Sequence, residues 1–233
     1  METTTVQTHP QIAASLRRAP VIGVVRTHSP EEAARQARLF AVSGLELIEI
    51  TFTVPGASTL VRQMLAKRDS SGPPWFGMGT VTTAARAREA VQAGAEFIVT
   101  PNVSPEVARE ARQAGLYLVM GALTPTEIVA ARELGADLVK VYPLPPVGGP
   151  QYLSVVRQPL GDIPMLAGGG FGIEEIPAYA QAGASAFGIG GPLLGTDEEE
   201  TRRRIARALE LARSAGGGGR RHERHEKDEE ETR

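Results

Sequence analysis

The sequence predicts a (β/α)8 barrel, the TIM-barrel class of α/β fold, and two patterns carry the prediction. One is a phrase that recurs: small residues around a glycine, then a short apolar run. It reads Val42-Ser-Gly-Leu-Glu-Leu-Ile-Glu-Ile50, Gln92-Ala-Gly-Ala-Glu-Phe-Ile-Val99, Gln113-Ala-Gly-Leu-Tyr-Leu-Val119, Glu133-Leu-Gly-Ala-Asp-Leu-Val139 and Gln181-Ala-Gly-Ala-Ser-Ala-Phe187. Each glycine follows an amphipathic stretch and suits the left-handed position that ends a helix. Each apolar run is short, as a strand buried on both faces is. The other pattern is alternation: adding the runs 21–26, 75–80 and 163–168 gives eight strand candidates separated by helical stretches. Such alternation implies a parallel sheet, and eight units in about 200 residues imply closure. A doubly wound open sheet is the alternative, but no Gly-x-Gly-x-x-Gly follows the first strand.

Taken in order, a short N-terminal helix precedes the strand at 21–26. Helix 30–43 opens on Ser29-Pro-Glu-Glu32, a capping serine with proline in the first turn, and leads to the strand around Ile48–Ile50. Helices 56–68 and 83–93 lead to the third and fourth strands, which end near Thr80 and Val99. Ser104-Pro-Glu106 opens helix 105–114, and Thr124-Pro-Thr-Glu127 opens helix 125–134. Helices 150–157, 173–182 and 197–213 flank the last two strands, so the barrel spans 10–214.

Composition excludes several function classes. Hydrophobic content of 42% and charged content of 22% are ordinary for a globular chain. A formal net charge of −2 offers no attraction to nucleic acid or an anionic membrane surface. Without cysteine there are no disulfides or thiolate metal sites. No apolar run reaches the roughly 18–20 residues of a membrane helix. The N-terminus has no cationic segment leading into an apolar core, so a cytoplasmic location is expected. Residues 1–9 are polar, and 215–233 form a glycine-rich, charged tail without apolar anchors; both are expected to be disordered. His222 and His225 in that tail make a poor metal site, and no metal or organic cofactor is expected.

The chain holds three lysines, Lys67, Lys140 and Lys227, against 22 arginines. Lys67 and Lys227 have polar neighbours, whereas Lys140 interrupts the apolar stretch Leu134-Gly-Ala-Asp-Leu-Val-Lys-Val-Tyr-Pro143. Desolvation disfavours an ammonium ion, and the neutral amine is the species that attacks a carbonyl to form a Schiff base. The plain alternative is a strand-end lysine that snorkels to solvent. Glu49, in Leu47-Ile-Glu-Ile-Thr-Phe52, is an acid within an apolar strand. Alternation turns Glu49 and Thr51 into the lumen and Ile48, Ile50 and Phe52 toward the helices. A partly desolvated carboxylate suits the proton transfers of Schiff-base chemistry; a structural Glu–Lys ion pair is the alternative. Chemistry in a barrel gathers where strands end, which adds Arg26, Thr53, Thr80, Pro101 and Tyr142 as candidate substrate-binding residues. The glycine-rich segments Ala167-Gly-Gly-Gly-Phe-Gly172 and Gly188-Ile-Gly-Gly-Pro192 occupy the two places where barrels often hold phosphate. Gly168, Gly169, Gly190 and Gly191 are the candidates there.

These residues carry a resemblance to the class I aldolases that cleave 2-keto-3-deoxy-6-phosphogluconate, 2-keto-4-hydroxyglutarate and 2-keto-3-deoxy-6-phosphogalactonate. It runs from about residue 19 to 195 through Ile48-Glu-Ile-Thr51, Gly77-Met-Gly-Thr-Val81, Ile98-Val-Thr-Pro-Asn102, Thr124-Pro-Thr-Glu127, Leu138-Val-Lys-Val-Tyr-Pro143 and the paired glycine segments. The resemblance implies a barrel, usually a homotrimer, that needs no cofactor and acts on a small 2-keto acid. It implies Lys140 as Schiff-base former, Glu49 as general acid/base, and Thr80 and Pro101 beside the pyruvyl group. Tyr142 stands where the family usually has phenylalanine.

The departures matter as much. The phosphogluconate enzymes hold the substrate carboxylate with an arginine four residues after the glutamate, and here that position is Thr53. The phosphogalactonate branch lacks it too, and shares Thr100-Pro-Asn102, Arg26 and Gly149-Pro-Gln-Tyr152 with this chain. Arg26 is therefore the candidate carboxylate clamp, a planar donor able to engage both oxygens. Pro192 replaces a hydroxyl residue often found after the last glycine pair, which weakens the phosphate site. The expected reaction is cleavage of a 2-keto-3-deoxy-6-phospho sugar acid to pyruvate and glyceraldehyde 3-phosphate. A pyruvate aldolase or oxaloacetate decarboxylase acting on an unphosphorylated 2-keto acid is the alternative enzyme. A non-catalytic barrel scaffold is the alternative without chemistry.

Overall fold

The computed structural model describes residues 9–68 and 72–216. Eight parallel strands close into a barrel in sequence order: β1 (Val21–Val25), β2 (Leu47–Thr51), β3 (Trp75–Gly79), β4 (Phe97–Val99), β5 (Tyr117–Ala122), β6 (Leu138–Val141), β7 (Met165–Gly168) and β8 (Ala186–Ile189). The connecting helices are α2 (Pro30–Val42), α3 (Ala57–Ala66), α4 (Ala84–Gln92), α5 (Pro105–Gln113), α6 (Pro125–Glu133), α7 (Gly149–Arg157) and α8 (Ile176–Gln181). Helices α1 (His9–Arg18) and α9 (Glu198–Gly216) stand before and after the barrel. The predicted fold is the observed one. The expected tail beyond Gly216, with His222 and His225, and the residues before His9 lie outside the described residues, and no helix among those described is long and apolar enough to cross a membrane.

Local signals act as the sequence suggests. Ser29, Thr83 and Ser104 cap the helices they precede, and Thr124 and Glu127 form a reciprocal capping box. All five glycines of the recurring phrase adopt positive φ, from 66° at Gly115 to 99° at Gly183. Some boundaries move, for physical reasons. The third strand stops at Gly79, one residue early, because Thr80 turns to φ 59°. The expected helix at 173–182 opens as a 3₁₀ turn, Ile173–Glu175, before α8. The strand expected at 163–168 starts only at Met165, and Gly188 of the second glycine-rich segment lies inside β8.

Two apolar layers hold the barrel. The larger lies between strands and helices and includes Ile48, Ile50, Met78 and Ile98. The smaller fills the lumen from the N-terminal end with Ile22, Leu47, Trp75, Phe97, Tyr117, Leu138 and Leu166, and α1 seals it with Ile12 and Leu16. Trp75 Nε1 donates to the buried Ser15 Oγ at 2.9 Å, which pins the plug to the barrel. Beside it the Arg68 guanidinium grips the Glu96 carboxylate at 2.9 and 2.8 Å and stacks over Trp75. Glu96 in turn accepts from the Phe76 amide at 2.9 Å.

Candidate active site

Toward the C-terminal ends of the strands the lumen-facing residues shrink. On β3, Trp75 gives way to Gly77 and Gly79; on β5, Val119 to Gly121; on β7, Leu166 to Gly168; on β8, Ala186 to Gly188. Into the space they leave stand Glu49, 2% exposed, and Lys140, 9% exposed. The Glu49 carboxylate lies directly over Gly79, where any other residue would place its Cβ. Lys140 sits beside Gly121 in register, and a methyl on Gly168 would come 3.0 Å from its Cε. Gly79 and Gly168 are therefore walls against which these two long side chains lie. No ion pair joins Lys140 to Glu49 among the described residues, and Glu49 Oε1 is buried without a hydrogen-bond partner. An acceptor left in that condition costs about 1–3 kcal/mol, so Glu49 is a poor choice for stability alone.

The rim carries the remaining candidates. Buried Thr51 donates to Val25 O at 3.1 Å and meets exposed Thr53 at 2.7 Å between hydroxyl oxygens. Arg26 follows β1 in phase with Ile22 and Val24, and the pairing of Val25 with Ile50 carries it to the level of Thr51. It is exposed and has no ion pair with Glu31 or Glu32 among the described residues; Ser29 Oγ donates to Glu31 and Gln36 to Glu32 instead. Pro101 is half-buried, and its backbone lies so close to Gly121 that a side chain at 121 would strike it. Thr100 Oγ1 fixes that crossing by accepting from Gly121 N at 3.0 Å and donating to Asn102 O at 2.6 Å. Tyr142 is 38% exposed, with its ring centroid 5.2 Å from Lys140 Nζ.

Thr80 is the one described non-glycine residue with positive φ. A β-branched side chain there is a genuine outlier, at a cost of about 1–3 kcal/mol. Its carbonyl accepts from Arg86 Nη1 at 3.2 Å. Arg86 also donates to Thr82 Oγ1 at 3.0 Å and lies over the Phe52 ring at 5.4 Å. Arg86 lies on α4, so strand ends alone do not point to it. The available signal is directional: side chains in a helix lean toward its N-terminus, and after a barrel strand that end faces the mouth.

The glycines at the two phosphate positions divide. Gly168 backs Lys140, while Gly169, at φ 131°, approaches Leu144 N, where a Cβ would come within 2.9 Å. A Cβ on Gly190 would meet Val24 O at the same distance, whereas Gly191 opens a 3₁₀ turn, Gly191–Leu193, with free space around its Cα. Pro192 in that turn supplies no N–H. His28 is exposed in the loop after β1. No cluster of three metal-binding side chains occurs among the described residues.

Comparison with known proteins bears on this mouth. The family model described as "KDPG and KHG aldolase" matches residues 12–208. A probable 2-dehydro-3-deoxy-6-phosphogalactonate aldolase of Rhizobium meliloti is 32% identical over 193 residues, covering 82% of this chain and 90% of the relative. The 2-dehydro-3-deoxy-6-phosphogalactonate aldolase of Escherichia coli is 30% identical, covering 84% and 96%. A solved structure described as native KDPGal superposes with a TM-score of 0.76 at 29% identity, covering 84% of this chain and 95% of that one.

Proposed function

This chain belongs to the KDPG and KHG aldolase family, and we propose that it cleaves a 2-keto-3-deoxy-6-phospho sugar acid through a Schiff base on Lys140. The observation that carries the reading is a buried amine and an unpartnered buried carboxylate oxygen, each laid against a glycine toward the C-terminal ends of the barrel strands. The similarity to phosphogalactonate aldolases supports the substrate class.

Lys140 Nζ, as the neutral amine, attacks C2 of the keto acid, and the carbonyl oxygen takes up a proton. Glu49 protonates the resulting hydroxyl, which leaves as water and gives the protonated imine. Loss of the C4 hydroxyl proton breaks the C3–C4 bond; its electron pair moves to the imine nitrogen, and glyceraldehyde 3-phosphate departs. The enamine takes a proton at C3, and water hydrolyses the imine to release pyruvate and free Lys140. A positioned acid/base of this kind contributes about 10²–10⁴ in rate. Arg26 and Thr53 hold the substrate carboxylate, and Thr80 and Pro101 border the pyruvyl group. Tyr142 covers the Schiff-base nitrogen with its ring. Gly168, Gly169, Gly190 and Gly191 receive the phosphate through backbone amides, and the enzyme works in the cytoplasm as a homotrimer without metal or organic cofactor.

Borohydride reduction in the presence of pyruvate tests the reading. Mass added to the peptide containing Lys140 is the expected result, and mass on Lys67 in its place removes the mechanism. Cleavage assays on the two epimeric phospho sugar acids beside hydroxyketoglutarate settle the substrate. Preference for the unphosphorylated acid gives the site to the alternative enzyme that Pro192 favours by withholding an N–H from the phosphate position.

A further inference from the structure

The path of the chain after β3 sets a problem that Arg86 solves. Gly79 pairs with Val99 in the β3–β4 register, yet Val81 N also bonds Val99 O at 3.2 Å. A parallel ladder in that register takes the bond to Val99 O from Thr80 N, so Thr80 is one residue more than the pairing needs. Such a residue must turn aside, and Thr80 does so at φ 59°. Glycine takes that conformation freely, whereas threonine takes it only if its surroundings enforce it.

The enforcing contacts converge from two elements. Phe52 N, at the end of β2, donates to Gly79 O at 2.8 Å and holds the residue before the turn. Arg86 Nη1 donates to Thr80 O at 3.2 Å and to Thr82 Oγ1 at 3.0 Å, which brackets the turn from the other side. The guanidinium is itself fixed, because it lies over the Phe52 ring and its own backbone amide is capped by Thr83 Oγ1 at 3.2 Å. A planar fork on an aromatic face loses little freedom when it bonds.

We propose that Arg86 is a positioning residue whose guanidinium keeps Thr80 in its left-handed conformation at the mouth, and that Thr80 contacts substrate only when so held. The proposal rests on the Schiff-base reading of the site and deepens it. Arg86 acts through the backbone of Thr80 and does not touch substrate. Its removal therefore lowers turnover of the bound keto acid while leaving the barrel intact.

The test is a double-mutant cycle on kcat/KM for cleavage: Arg86→Ala, Thr80→Gly and the pair, with thermal unfolding of each. Arg86→Ala alone is expected to lose at least about tenfold; in the Thr80→Gly background, where glycine needs no clamp, it is expected to lose under about threefold. Arg86→Lys, which keeps a donor but loses the planar fork over Phe52, is expected to fall between Arg86→Ala and the unaltered chain. Equal losses in both backgrounds would give Arg86 a direct substrate contact and overturn the proposal, as would no loss in either. If Arg86→Ala unfolds, Arg86→Met, which keeps the side chain's length and removes its donors, and Thr80→Gly with Arg86→Met carry the same comparison. Borohydride trapping of pyruvate by the unaltered chain separates the failures. No adduct at Lys140 sinks the site reading, whereas an adduct together with additive mutants sinks the clamp alone.

Discussion

At the N-terminal end of the lumen Trp75, Phe97, Leu138 and Leu166 fill the barrel, and Ile12 and Leu16 of α1 close it. Farther along the barrel, Gly79 leaves room for Glu49 and Gly168 for Lys140, while Thr80 is held against its preference. One end satisfies its polar groups, as Trp75 Nε1 does on Ser15. The other leaves Glu49 Oε1 without a partner. A single strand such as β3 serves both ends, so a barrel stores its stability and its chemistry in different layers of one lumen. Reactive ends tolerate strain because the packed end supplies the free energy to hold them.

That division predicts which measurement each substitution moves. Lys140→Ala is expected to abolish cleavage and the borohydride adduct while circular dichroism stays native; residual turnover at the unaltered rate would break the comparison at its centre. Glu49→Gln should lower kcat by about 10²–10⁴ with a melting temperature no lower than that of the unaltered chain. Near-normal kcat would make Glu49 structural. At the opposite end, Leu16→Ala removes a side chain that is 7% exposed, and should cost about 2–4 kcal/mol in chemical denaturation with kcat unchanged. A fall in kcat with intact stability would show that the two ends are coupled. Arg26→Ala is expected to raise KM for 2-keto acids by about tenfold, or about 1.4 kcal/mol, the lower end for a charge-assisted hydrogen bond. Unchanged KM for every acid tested leaves the carboxylate to backbone amides and threonine hydroxyls.

The sequence discloses those features that break a local rule. Lys140 and Glu49 stand out because a charge in an apolar strand needs a reason, and the alternation around them already gives the face they occupy. The barrel itself is legible because the glycine phrase repeats the same helix ending before strand after strand. Thr80 looked like an ordinary strand end, since its left-handed turn comes from the pairing of its neighbours with Val99. Nothing in Ala84-Ala-Arg-Ala87 marks Arg86 until Phe52 and Thr80 are brought beside it in space. Gly168 was assigned by position to an anion, yet its lack of a side chain also clears the path of Lys140. A glycine reports that room is needed and leaves unsaid what fills it.

The seam of the barrel also governs how the molecule comes into being. Val21, Ile22 and Gly23 of β1 pair with Phe187, Gly188 and Ile189 of β8, and Arg213 on α9 donates to the Arg18 carbonyl at the end of α1 at 3.0 Å. β1 lacks that neighbour until β8 has been made, and until then it presents an open edge. Lys140 is synthesised well before the wall that closes around it is complete. Until β7 and β8 are in place the wall that Gly168 forms against Lys140 is missing, so closing the barrel and enclosing that amine are one event.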